Sequence, residues 1–244
     1  MNVRKPEERL PANEAALNFV LENFPTCQAA LLGGSVVRGE ETSTSDLDIV
    51  IIDDTTSSEF RESLIAQGWP IEAFVHNLKT IRDYFQSDCQ RARPSLPRMV
   101  SEGIPIVDHR IIHTLKEEAN KLLRDGPPKW TIQTIHMKRY FITDALDDFI
   151  GSTNRGEGIF IAGALGESLH EFVLRTNGRW IGASKWVVRS LKEYDQDFAD
   201  EYVEAFEQFY RNGNKQEIVR LVNSVLEPHG GRLFDGFTLG KNEG

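Results

Sequence analysis

The stretch "LLGGSVVRGEETSTSDLDIVII", from Leu31 to Ile52, constrains the fold more than any other. Two apolar runs flank a small, polar, acidic loop. Gly33, Gly34 and Ser35 close the first run, ten residues follow Ser35, and Asp46 and Asp48 then open the second. Side chains on a strand alternate faces with period two, so Asp46 and Asp48 point the same way where a strand begins. Two carboxylates that close repel each other unless a cation lies between them. Hard divalent ions such as magnesium take carboxylate, phosphate and water oxygens. A neighbouring Gly-Gly-Ser lets backbone N–H groups and one hydroxyl approach a phosphate closely. An anion cradle beside a metal clamp predicts a nucleoside triphosphate held with magnesium.

Other phosphate-binding patterns are absent from the sequence. There is no G-x-x-x-x-G-K-[ST], and no G-x-G-x-x-G follows a strand. Around the loop, apolar spacing predicts a helix over residues 13–24, with Ala16, Leu17, Val20, Leu21 and Phe24 as its stripe and Pro25 as its stop. Residues 60–69, "FRESLIAQGW", read as a helix stopped by Gly68. "PIEAFVHN" reads as a third strand, "LKTIRDYFQSD" as a helix and "IPIVD" as a short fourth strand. "IIHTLKEEANKLLRDG" reads as a helix ended by Gly126 and followed by Pro127-Pro128. Beyond Pro128 no strand pattern remains, and five segments carry helical spacing. Thr131 is a candidate cap for the first of them, while Gly178, Gly213 and Gly230 stand where helices should stop. The expected layout is an α/β (α+β) domain with a small mixed sheet over residues 1–128, then an all-α helical bundle over residues 129–244.

Net charge is −9, and both halves carry more acid than base. That disfavours a grip on long nucleic acid through phosphates, and template-directed polymerisation with it. The longest apolar runs are too short to span a membrane, and "MNVRKPEERLPANEAAL" has no apolar core of signal length, so a cytoplasmic protein is expected. Cys27 and Cys89, the only two cysteines, are too few for a disulfide framework or a cysteine zinc site and read as small buried fillers.

Gly34-Ser35, ten residues and Asp46-Leu47-Asp48 resemble the nucleotidyltransferase superfamily of DNA polymerase β type. Its pattern is Gly-Ser, ten residues, then Asp-x-Asp opening a strand. The intervening "RGEETSTS" is similar to small bacterial members, and the layout is similar to aminoglycoside adenylyltransferases. The resemblance implies two magnesium ions held by Asp46, Asp48 and Glu72, ATP or another triphosphate as donor, and a small hydroxyl-bearing acceptor. Glu72 is the only acid of "PIEAFVHN" and looks like the catalytic base of those adenylyltransferases. Gly33, Gly34, Ser35, Arg38 and Ser45 are the implied nucleotide contacts. Lys185 is another, since these enzymes send a lysine from their helical domain to the phosphates. In-line attack on the α-phosphorus asks for the same parts: an oriented hydroxyl, a proton acceptor and charge neutralisation.

Plainer readings stand beside these. Arg38 either meets phosphate or pairs with Glu40 or Glu41, and Lys185 is equally an exposed surface charge. Arg91, Arg93 and Arg98 either stabilise a leaving pyrophosphate or decorate a solvated loop. Trp180 either stacks on a base or sugar or belongs to the core, and Asp147-Asp148 offer either a negative wall to a cationic acceptor or a solvated helix face. His109 and His113 have helical metal-pair spacing but lack a third ligand. Transfer of AMP or another nucleotide to a small molecule is the leading expectation. A protein-modifying enzyme of antitoxin type and an inactive nucleotide-binding module are its alternatives.

Overall fold

A computed structural model describes residues 9–240; the start of the N-terminal stretch discussed above, residues 1–8, lies outside the described residues. The chain divides into two compact units, Met1–Gly126 and Pro127–Gly244.

The first unit is built on a five-stranded mixed sheet of order β3-β4-β2-β1-β5. Its strands are β1 (Ala29–Gly33), β2 (Leu47–Ile52), β3 (Phe60–Ala66), β4 (Trp69–His76) and β5 (Ile104–Asp108). β1 runs antiparallel to both β2 and β5, β3 antiparallel to β4, and β2 parallel to β4. Because side chains alternate, each central strand feeds two cores. Leu47, Ile49 and Ile51 of β2 and Ile71, Ala73 and Val75 of β4 pack against Ala15, Ala16, Phe19 and Val20 of α1 (Ala12–Asn23). Val50 and Ile52 face the other way, onto Ile81 and Phe85 of α3 (Leu78–Gln90), Leu96 and Val100 of α4 (Ser95–Glu102) and Leu115 of α5 (Ile112–Asp125). The four-residue turn of helix α2 (Gly34–Val37) joins β1 to the acidic loop.

Two expectations change. Residues 60–66 form a strand rather than a helix. Gln67 and Gly68 both take positive φ, 53° and 84°, the conformation of a tight two-residue hairpin turn. Gly68 therefore turns the chain into β4 instead of ending a helix. The buried stripe of α1 is Ala15, Ala16, Phe19 and Val20, whereas Leu17 and Leu21 are exposed. The sheet crosses the helix one residue round from where the larger side chains pointed.

The second unit is helical throughout its described regular structure: α6 (Ile132–Gly151), α7 (Arg155–Thr176), α8 (Trp186–Tyr194), α9 (Gln196–Asn212) and α10 (Gln216–Leu226), then a 3-10 turn at Glu227–His229. Thr131 caps α6 by accepting from the N–H of Thr134 at 3.1 Å. Gly213, at φ 82°, closes α9 in the left-handed region. Phe149, Phe172, Phe209, Leu165 and Leu169 are fully buried and fill its core. Arg139, also buried, donates from Nε and Nη2 to the carbonyls of Gly231 and Gly230 at 2.8–3.1 Å, tying the end of the 3-10 turn to α6.

Candidate active site

The parallel pairing of β2 with β4 brings the acids together. Asp48 and Glu72 are direct partners across that ladder. They lie on the face shared with Val50 and Phe74, at the end where β2 begins. Asp46 precedes β2 by one residue and turns its carboxylate to the same place. One carboxylate oxygen from each of Asp46, Asp48 and Glu72 lies within 4.8 Å of the others, and all three residues are half-buried.

Like charges this close raise the cost of ionisation. Asp48 is pushed up to about 6, first by burial, then by Asp46 and Glu72; Arg61 and Arg38 pull the other way. Arg61, on β3, donates from Nη2 to Glu72 Oε2, and its guanidinium lies 4.9 Å from the centroid of the Phe74 ring. It was missed in the sequence because residues 60–69 read as a helix. Gln-Gly ahead of the alternating "WPIEAFVH" was the available signal for a hairpin that sets a cation beside Glu72.

The loop before the acids is shaped for them. Gly34 has φ +78°, and a Cβ there would lie 1.9 Å from Asp48 Oδ2. The carboxylate of Asp48 fills the space that any side chain would need, so glycine is required twice over. Ser35 Oγ donates to Ser45 Oγ at 3.2 Å, and Ser45 Oγ accepts from the N–H of Thr42 at 2.8 Å. These bonds close the ten-residue loop across its neck. Gly33 ends β1, where a Cβ would lie 3.4 Å from Met99 Cβ.

The remaining candidates fall further out. Arg38 pairs with Glu40 at 3.1 Å and with Glu102 at 3.0 Å, on the rim of the loop. Arg91 pairs with buried Asp88, Arg93 is exposed and Arg98 belongs to α4. His113 pairs with Glu117, and His109 joins no three-ligand cluster among the described residues. In the second unit, Lys185 is exposed at the N-cap of α8, Trp180 is half-buried, and Asp147 pairs with Arg232 at 3.1 Å. No helix among the described residues is long and apolar enough to cross a membrane.

The donor set is all oxygen, acidic and half-open, which fits a hard divalent ion that keeps water or phosphate oxygens as further ligands. Residues 14–94 match the family model of the nucleotidyltransferase domain. No curated protein matches the chain. Among solved structures, it is similar to a nucleotidyltransferase-like protein from Exiguobacterium sibiricum 255-15, 14% identical over 89% of this chain and 74% of that one, with a TM-score of 0.48. The matched residues span β1, the acidic loop, β2 and β4. Residues 14–94 are thus a nucleotidyltransferase domain.

Proposed function

We propose that the protein moves a nucleoside monophosphate, AMP in the first instance, from a triphosphate to a hydroxyl of a small molecule, with magnesium as cofactor. The observation that carries this reading is the meeting of Asp46, Asp48 and Glu72 within 4.8 Å beside Gly34. Asp46 and Asp48 would hold the cation, with Glu72 at its edge. When bound, magnesium ions neutralise charge developing on the attacking and leaving oxygens.

Everything else falls to side chains of this chain. Glu72 accepts the proton of the acceptor hydroxyl as its oxygen attacks the α-phosphorus. The bond from that phosphorus to the bridging oxygen breaks, and pyrophosphate leaves. Arg61 fixes the orientation of Glu72 through the hydrogen bond they share. Ser35 and Ser45 present hydroxyls at the neck of the loop, where the donor phosphates would lie. An antibiotic of aminoglycoside type is one acceptor of suitable chemistry.

The test is pyrophosphate release. Each of the four ribonucleoside triphosphates, with magnesium, is incubated against a panel of aminoglycosides, lincosamides and simple polyols, with Asp48→Asn as the control. Acceptor-dependent release with one nucleotide, absent in the control, supports the reading. Equal release by wild type and Asp48→Asn would remove the acids from the chemistry.

A further inference from the structure

The second unit buries a cation whose nearest acid is shared with a second cation. Arg175, in the last turn of α7, is 7% exposed. Its Nη2 donates to the carbonyl of Pro128, and its guanidinium carbon lies 5.2 Å from the centroid of the Trp130 ring. Its Nε–H is buried and has no hydrogen-bond partner. Glu171 lies one turn earlier and attracts Arg175, but its carboxylate is taken by Lys138 Nζ at 2.5 Å. Arg139 is equally buried, yet two carbonyls accept from its Nε and Nη2. A guanidinium stays protonated in any protein environment, so the charge at Arg175 persists, and a buried charge with only a shared counter-ion is unfavourable.

Arg175 lines a cavity of about 360 Å³, together with Lys129, Trp130, Ile135 and the end of α7. That volume is in the range of small-molecule sites. A helix C-terminus ordinarily repels anions through its open carbonyls. Here the carbonyls from Phe172 to Arg175 are occupied. Phe172 O accepts from Thr176 Oγ1 at 2.7 Å, and Val173 O from Asn177 Nδ2 at 2.8 Å. Leu174 O accepts from the N–H of Arg179 at 2.7 Å, and Arg175 O from that of Gly178 at 3.2 Å. The cavity thus offers one buried cation, one exposed cation at Lys129 and an apolar wall of Trp130 and Ile135.

We propose that this cavity binds a small organic oxyanion, a carboxylate or a phosphate monoester. Arg175 is its inner cation, Lys129 its outer cation, and the Trp130–Ile135 wall packs against its carbon skeleton. This site lies wholly in the helical unit and is independent of the acidic triad.

The test follows the arginine Nε–Hε signals of the ¹⁵N-labelled full-length chain by NMR, without divalent ions. The Arg175 signal is assigned by its loss in Arg175→Lys. Inorganic phosphate, phenyl phosphate and benzoate are the probes. A saturable downfield shift of that signal is expected, at concentrations below about 1 mM for the best probe, the affinity of a modest small-molecule site. Lys129→Ala, an exposed substitution, should weaken it roughly tenfold, the loss of one charge-assisted contact. Response to the phosphates alone assigns a phosphate monoester, and response to benzoate alone a carboxylic acid. The proposal is overturned if the Arg175 signal fails to saturate with any probe, or if Lys129→Ala leaves the affinity unchanged.

Discussion

Asp48 and Asp88 are both taken from water by the first unit, and burial pushes both upward. Their surroundings differ in kind. Asp88, 1% exposed in the last turn of α3, accepts from the N–H of Leu96 at 2.8 Å and from Arg91 Nη2. Its charge is met by donors, and the turn is tied down in return. Asp48, at the start of β2, faces Asp46 and Glu72 instead. Its charge is met by more of the same sign. An acid satisfied by its own fold is a structural part; an acid the fold leaves in conflict is waiting for something from outside.

Breaking Asp48 should have the largest effect. Asp48→Asn is expected to lower kcat/KM by roughly 10⁴-fold, several kcal/mol of lost charge stabilisation, in the pyrophosphate assay. Without divalent ions, its stability should part from wild type in a defined direction. The folded value of Asp48, about 6, lies above its ordinary 3.8. Its protonated form therefore favours the fold fully below about pH 4, and that contribution fades as pH rises through about 6. The difference between wild-type and Asp48→Asn denaturation curves should fall over that window by on the order of 1–3 kcal/mol. A flat difference would place Asp48 in water and undo its contrast with Asp88.

Glu72→Gln comes next. Turnover should fall by roughly 10²–10⁴-fold if proton transfer is its part, while nucleotide affinity measured by calorimetry changes far less. If metal binding vanishes as completely as in Asp48→Asn, Glu72 is chiefly a ligand. Gly34→Ala should follow, at about 10²-fold in activity, because displacing Asp48 by an ångström misplaces what it holds. Valine at that position should be worse than alanine.

Asp88→Ala sharpens the comparison from the other side. It strands the Leu96 N–H, so unfolding in urea should report a loss of about 2 kcal/mol. Activity per folded molecule should stay within about twofold, since no reacting group is touched. A collapse of activity with stability intact would erase the distinction between the two acids. Arg61→Gln should have the smallest effect on stability, less than about 1 kcal/mol for an exposed pair, with a kcat reduced severalfold through the freed Glu72.

The acidic loop was legible because its demands are local. Gly-Gly, the loop length and the alternation of Asp46 and Asp48 with Leu47 and Ile49 are written in consecutive residues. Arg61 was not legible, because its strand is an edge. Phe60, Arg61, Glu62 and Ser63 are all exposed, and charges on an edge strand guard it against pairing with other chains. That leaves no clean two-residue alternation, and Phe60 with Leu64 then imitates helical spacing. The stripe of α1 went astray for a related reason: the small Ala15 and Ala16 let the helix lie close to the sheet, and size gave no hint of which face would be covered. Arg91 shows a third limit. Three arginines in one segment suggested an anion from outside, but the partner of Arg91 was three residues away, in Asp88.

The parallel ladder of β2 and β4 sets Asp48 opposite Glu72 with no bulge between them. A slip of one residue in that pairing would turn one acid to the opposite face, among Ile49 and Ala73, where no ion could reach it. Catalytic competence is therefore a report on alignment: a molecule whose two central strands had annealed one step out would be inert. In refolding experiments the return of activity would count correctly matched sheets, whereas circular dichroism would count all of them.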